Sequence, residues 1–322
     1  MAEYIGIKGS TIQTIAGDPA NPIEGQVWYN STSTVLKGSG TFISGGAWAS
    51  GNVMNTARQR GMCAGIQTAA IAAGGYQTHA ETEIYDGSTW SETNNLVLGR
   101  DYGGNNFGTS TAALFVTGGF TTIVTNVETW DGTSWTEGTN VLLARRNAMG
   151  AGTTTAAVTA GGYTGSTYTD ATETYDGTSW SETNDLNTGK TYAGSAGATS
   201  TAALFIGGEI WSPAVMAETE EWDGTSWSEK ADLNTARSSI AAAGTSTQCI
   251  AFGGYEPTLS AKTESYDGSA WTEVGDLATA TSGIFGAGTS TAGLAAGGAS
   301  PSVTTATEEW TVGQTTKTFT AT

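Results

Sequence analysis

Polar and apolar residues alternate in short bursts along this chain, and one burst keeps returning. Residues Thr172 to Glu182 read T-E-T-Y-D-G-T-S-W-S-E, two strand-favouring runs around Asp-Gly. With small changes the pattern recurs at Thr82 to Glu92, Val127 to Glu137, Thr219 to Glu229 and Thr263 to Glu273. Alternation with a period of two predicts strands, and Asp-Gly between two such runs predicts a hairpin at each copy. Upstream of each hairpin, a Gly/Ala/Thr-rich turn and an apolar run end in Gly-Gly. These pairs fall at Gly74, Gly118, Gly161, Gly207, Gly253 and Gly297, a period of 43 to 46 residues and six units.

Each unit divides into four predicted strands. In the third unit, Arg145 to Ala151 is rich in small residues, as a strand lining a crowded axis must be, and Ala156 to Ala160 runs up to the double glycine. A third strand carries an aromatic before Asp-Gly (Tyr85, Trp130, Tyr175, Trp222, Tyr266, Trp310), and a fourth carries the hairpin Trp. Two large rings per unit predict a core between units. A repeat of this length with four strands per unit is the signature of a β-propeller, so the expected fold is all-β and six-bladed. With its double glycines, third-strand aromatics and hairpin Trp, the stretch from Gly40 to Trp310 resembles the kelch repeat family. That resemblance implies four-stranded kelch blades.

The repeat starts and stops in mid-unit. Trp48 aligns with Trp90, Trp135, Trp180, Trp227 and Trp271, while Glu308-Glu309-Trp310 aligns with Glu128-Thr129-Trp130 and lacks a hairpin partner. One N-terminal strand joined to three C-terminal strands would close the ring and leave no exposed edge in the seam. The expected organisation is an arm over residues 1–39, the propeller over 40–312 and a tail over 313–322.

The arm does not follow the repeat. Gly25 to Lys37 reads as strand, polar turn and strand behind a Gly/Pro connector from Gly17 to Pro22. Its G-Q-x-W-Y-N-x-T pattern resembles a short β-module of bacteriophage tail-fibre and other virion proteins, which implies attachment of the arm to other virion proteins. Read from the residues alone, it is equally an ordinary hairpin plugging one end of the ring.

Composition agrees with all-β structure: 46 glycines, dense Thr and no long amphipathic helical pattern. A formal charge of −18 argues against nucleic acid as a partner. No apolar run is long enough for a membrane span and no secretory signal is visible, so neither membrane insertion nor general export is expected. Cys63 and Cys249 fall on blades that are not neighbours in a six-bladed ring and read as buried free thiols.

Spacing separates two faces. From the third-strand Glu to the hairpin Trp is always seven residues, whereas the interval from the second glycine to that Glu runs from 8 (Gly75 to Glu83) to 12 (Gly208 to Glu220). In a meander the constant turns share one face, and the variable loops share the other with the chain entering each first strand. Variable loops on a rigid scaffold are where function usually resides. Trp211 on the longest loop, with Tyr163, Tyr168 and Tyr255 on sister loops, suits sugar stacking, although Trp211 would equally pin its own loop. Ten residues after each hairpin Trp come Arg58, Arg100, Arg145, Lys190, Arg237 and, in the last unit, Thr281. These five cations are either a broken ring drawing an acidic ligand to that face, or partners of repeat-borne carboxylates such as Glu83 or Asp86.

Catalytic patterns are wanting. Kelch-like enzymes of the galactose oxidase type use two His and a Tyr–Cys pair on copper, and this chain has one histidine, His79. The neighbouring carboxylates Glu81 and Glu83, and Glu218, Glu220 and Glu221, fall on the repeating third strand and read as repeat chemistry. No catalytic residue, metal or cofactor is expected. The reading is a non-enzymatic virion or tail-fibre protein in the virion, binding a host-surface glycan or another virion protein, with homo-oligomerisation left open. The alternatives are a secreted bacterial carbohydrate-binding protein or glycan-active enzyme, and an intracellular adaptor.

Overall fold

The computed structural model describes residues 12–23, 25–41, 45–76, 80–103, 107–119, 122–210 and 214–319. Its described elements are all strands, arranged in repeated four-stranded antiparallel sheets as in a β-propeller. The third unit shows the plan. Met149–Gly152, Ala157–Ala160, Thr172–Tyr175 and Trp180–Glu182 pair in chain order as a meander, with Tyr175 opposite Trp180. At its outer turn, the Asp176 carboxylate accepts the backbone N–H groups of Thr178 and Ser179, each at 2.8 Å, and only Gly177 takes a positive φ. The hairpin is therefore closed by an Asx-turn rather than by the two left-handed residues of a type I′ turn.

Among the described residues, six of the seven four-stranded sheets carry the repeat. One of these is assembled from distant segments, because Ala47–Ser50 pairs with Thr307–Thr311 and completes the sheet of Phe285–Gly288 and Ala292–Ala296. The apolar core lies in the seams between sheets. One cluster joins Cys63, Tyr85 and Trp90 of the first unit to Phe285 and Leu294 of the last, and another joins Ile71 and Met62 of the first to Phe115 and Trp130 of the second. The large rings meet there as expected: Trp130 and Trp135 are 5.4 Å apart, Tyr175 and Trp180 are 5.0 Å apart, and Trp222 and Trp227 are 5.2 Å apart. Several hairpin indoles also bond across a seam, Trp135 Nε1 donating to Thr82 Oγ1 and Trp227 Nε1 to Thr172 Oγ1, both at 3.0 Å. Where the second unit has Val127 in place of that Thr, Trp180 Nε1 donates instead to the Thr139 carbonyl.

The double glycine is where consecutive units touch through backbone. Gly162 N–H donates to the Lys190 carbonyl at 2.8 Å, and a Cβ on Gly161 would stand 2.7 Å from that same oxygen. Both glycines have positive φ, so two constraints exclude a side chain. The second unit departs from the predicted alignment. There Gly118, not Gly119, takes the second-glycine role by donating to the Arg145 carbonyl, and the first-glycine position is filled by Thr117, buried at φ +60°.

The seventh sheet holds the arm. Gln13–Ile15 runs parallel to Val27–Asn30, which pairs antiparallel with Val35–Thr41. Asp18 in the Gly/Pro connector organises it, accepting from Trp28 Nε1 at 3.2 Å, Asn30 Nδ2 at 2.7 Å and Lys37 Nζ at 2.8 Å. Residues expected to form a tail instead supply its fourth strand, Gln314–Phe319, against Val35–Thr41. The threonines of Gln-Thr-Thr-Lys-Thr-Phe favour an extended strand, but only a partner edge brought close by ring closure could select this pairing.

Candidate functional site

The five basic residues at the repeating position do not form an open ring. Arg58, Arg100, Arg145, Lys190 and Arg237 are at most 1% exposed, each paired with the third-strand Glu of its unit: Glu83, Glu128, Glu173, Glu220 and Glu264. Burial pushes Arg100, Arg145 and Arg237 below the usual guanidinium range against the opposing pull of their glutamates. These cations are removed from solvent, so the expectation that they draw a ligand to the face is corrected.

Each pair ties the chain entering a first strand to its own sheet. Glu173 accepts from Arg145 Nη2 at 2.7 Å and from the backbone N–H groups of Leu142 at 2.6 Å and Leu143 at 3.1 Å. Arg237 donates to the Gly253 and Lys262 carbonyls at 2.8 and 2.7 Å. In the last unit, where Thr281 replaces the cation, Glu308 keeps only the backbone half of the device, accepting from Ala278 N–H at 2.8 Å.

Two residues beyond each of these positions stand Arg60, Tyr102, Asn147, Tyr192, Ser239 and Gly283, and all six have φ between +53° and +61°. They form a backbone belt at the axis. Tyr102 N–H donates to the Arg60 carbonyl at 2.6 Å, Asn147 to Tyr102 at 2.8 Å, Ser239 to Tyr192 at 2.7 Å, Gly283 to Ser239 at 3.0 Å, and Arg60 to Gly283 at 3.0 Å. The last link joins the first unit to the final one. Left-handed φ costs a non-glycine residue roughly 1–2 kcal/mol, and the belt bonds, with the packed sheets beneath, hold it.

Side chains of the belt crowd the axial mouth. The Arg60 guanidinium lies 5.2 Å from the Tyr102 ring centre and 5.9 Å from that of Tyr192, and it donates to the Tyr102 hydroxyl at 2.7 Å. Arg146 lies 5.1 Å from the same Tyr102 ring and 5.3 Å from Tyr163. Among the described residues, neither arginine has a carboxylate within salt-bridge distance, whereas every other described basic side chain has one within 3.1 Å. Beside the mouth opens a cleft of about 240 Å³ lined by Arg146, Asn147, Tyr163, Tyr168, Tyr192 and Glu209. Its far wall is fixed by Tyr163 and Tyr168, edge to face at 5.6 Å, and by the Tyr168 hydroxyl donating to Glu209 Oε1 at 3.1 Å. Burial, with the Glu209 charge beside it, pushes the Tyr168 phenol up to about 12.

The predicted aromatics thus divide. Tyr163 and Tyr168 share the cleft, while Tyr255 is 44% exposed on a separate ribbon of Tyr255–Glu256 and Thr258–Leu259. Trp211 and His79 lie outside the described residues. The opposite end of the axis is lined by the turns between first and second strands, including Gly65, Gly108, Gly152 and Gly197, with no charged side chain among its lining residues. Arg60, Arg146, Tyr102, Asn147, Tyr192 and Glu209 were not anticipated from sequence. A signal was present: Arg60 and Arg146 are basic residues at belt and near-belt positions where the other units carry something else.

No family model matches this chain, and no curated protein matches it. Among solved structures, the chain is similar to that of YjhT, with 13% identity, a TM-score of 0.67, and coverage of 82% of this chain and 99% of the other. At that identity the likeness shows a shared fold.

Proposed function

We propose that this chain is a six-bladed kelch-like propeller serving as a non-enzymatic virion or tail-fibre component, which binds a host-surface glycan through its variable-loop face and is attached through its arm. Six blades are supported by the six seam clusters, one of which joins the first and last units. The observation that carries the binding role is the cluster of Arg60 and Arg146 among Tyr102, Tyr163 and Tyr192, cations without carboxylate partners among the described residues of a chain with net charge −18. The virion setting rests on the resemblance of Gly25 to Thr32 to phage tail-fibre modules, and attachment to other virion proteins follows from it.

The test is binding of fluorescently labelled protein to candidate bacterial host cells before and after periodate oxidation of their surface glycans. Binding that disappears on oxidation is expected. Binding that is indifferent to oxidation would remove the glycan from this reading.

A further inference from the structure

Resting on that reading of the face, we propose that the cleft beside the axial mouth takes one carboxylated sugar residue, a hexuronate. Its carboxylate is held by Arg146, with Arg60 adding positive charge from across the Tyr102 ring, its ring lies against tyrosine, and its hydroxyls are met by Glu209.

Four features converge on this ligand. First, the two arginines approach one aromatic ring from within 5.2 Å, and among the described residues neither has a carboxylate within salt-bridge distance. An incoming carboxylate therefore finds guanidinium N–H groups that no protein carboxylate occupies. Second, the positions are rigid. Arg60 leaves the backbone belt directly and Arg146 lies next to Asn147, another belt member, and the two chains are joined through Tyr102. Guanidinium groups on fixed backbone suit a planar carboxylate, which they grip through paired N–H groups.

Third, the walls are tyrosine. Tyr163 and Tyr192 present ring surface with polar tips, the combination that packs on the C–H face of a sugar. Fourth, the cleft carries an acidic group beside its arginine. Glu209 is half-buried and engages Tyr168 through Oε1, and a carboxylate has lone pairs to spare for sugar hydroxyls. A ligand with a negative group at one side and hydrogen-bond donors at the other matches this polarity, and a cleft of about 240 Å³ is of the order of one ring rather than a chain.

The experiment titrates the whole protein with D-glucuronate, D-glucose and glucose 6-sulfate by calorimetry. Glucuronate is expected to bind and glucose not to, with Arg146→Ala weakening glucuronate by roughly tenfold or more and Arg146→Lys by less. Glu209→Gln is expected to weaken it through the hydroxyls. Glucose binding as well as glucuronate, or Arg146→Ala binding glucuronate like wild type, overturns the proposal. Tighter binding of glucose 6-sulfate than of glucuronate also overturns it, by moving the ligand to sulfated sugars. Thermal melts check that each variant folds, and if one does not, the comparison of the three sugars on the unaltered protein still decides. Cell binding that survives Arg146→Ala would sink this proposal and leave the recognition face standing. Glucuronate binding without cell binding would do the reverse.

Discussion

Trp48 lies directly opposite Trp310 in an antiparallel pair, their rings 5.5 Å apart, and Trp48 Nε1 reaches across the seam to donate to Thr263 Oγ1 at 2.9 Å. A residue from the beginning of the chain thus completes a sheet from its end and bonds to the sheet beside it. Removing residues 1–50 should expose the edge of Thr307–Thr311 and leave its seam open. The truncated protein is expected to aggregate in size-exclusion chromatography at concentrations where the full chain runs as one sharp peak. A truncated form with an unchanged elution profile and melting temperature would mean that this strand does not hold the ring shut.

The buried ion pairs predict an asymmetric mutational pattern. Arg145→Met strands the Glu173 carboxylate in the interior and should cost about 3–5 kcal/mol of stability, since the unpaired charge is worse than the lost attraction. Adding Glu173→Gln should recover part of that, because it removes the stranded charge and its amide oxygen still accepts from one of the Leu142 and Leu143 N–H groups. Denaturant melts of the single and double variants test this. A double variant less stable than Arg145→Met alone would contradict it.

Thr117 is a β-branched residue held at φ +60° in a position other units give to glycine, and its buried hydroxyl makes no hydrogen bond. Thr117→Gly relieves both conditions at the loss of one small side chain and some added unfolded-state entropy, and should stabilise by about 1 kcal/mol. The readout is the denaturation midpoint, and a lower midpoint in the variant would show that the methyl packing outweighs the strain.

The constant turns set part of the acid response. Backbone N–H groups of Thr89 and Ser88 hold Asp86 down at about 2, Asp131, Asp176 and Asp223 are lowered in the same way, and Asp267 is lowered first by the Ser269 hydroxyl and then by the Ala270 and Ser269 N–H groups. A carboxyl whose folded value lies below its unfolded value contributes stability above the unfolded value, and that contribution fades as pH falls through the folded one. Melting temperature should therefore drop between about pH 4 and pH 2, and Asp86→Asn should make the drop shallower. An identical acid limb in Asp86→Asn would mean the turn carboxylates do not contribute to it.

Much of the architecture was legible because it is written six times. The aromatic pairs, the meander order and the sidedness of the loops each follow from positions that recur at fixed spacing, and the closing strand from the half-unit around Trp48. That same regularity left two readings open at Arg58, Arg100, Arg145, Lys190 and Arg237. A cation at one place in five of the six units reads either as a functional ring or as a partner of a repeat-borne carboxylate, and the pairs with the third-strand Glu make it a brace. Arg60 and Arg146, half-buried and without carboxylate partners among the described residues, stand at the axis where they break the pattern. Their significance depends on the left-handed belt, which shows itself in sequence only as Arg, Tyr, Asn, Tyr, Ser and Gly with no shared chemistry. The strand Gln314–Phe319 was hidden for a different reason, since its partner is chosen by proximity rather than by pattern.

The two segments that close the ring pair twice over, Leu36 to Thr41 with Phe319 to Gln314 and then Ala47 to Ser50 with Thr311 to Glu308. Antiparallel pairing sets Leu36 and Phe319 side by side at one end of this ribbon. Tension applied to them in opposite directions meets the hydrogen bonds one at a time rather than all together. The arm sheet peels first, from Leu36 toward Thr41, and the load reaches Trp48 and Trp310 only after that ladder is spent. Loaded in this direction, the arm would act as a mechanical fuse, giving way before the strand that closes the propeller is pulled.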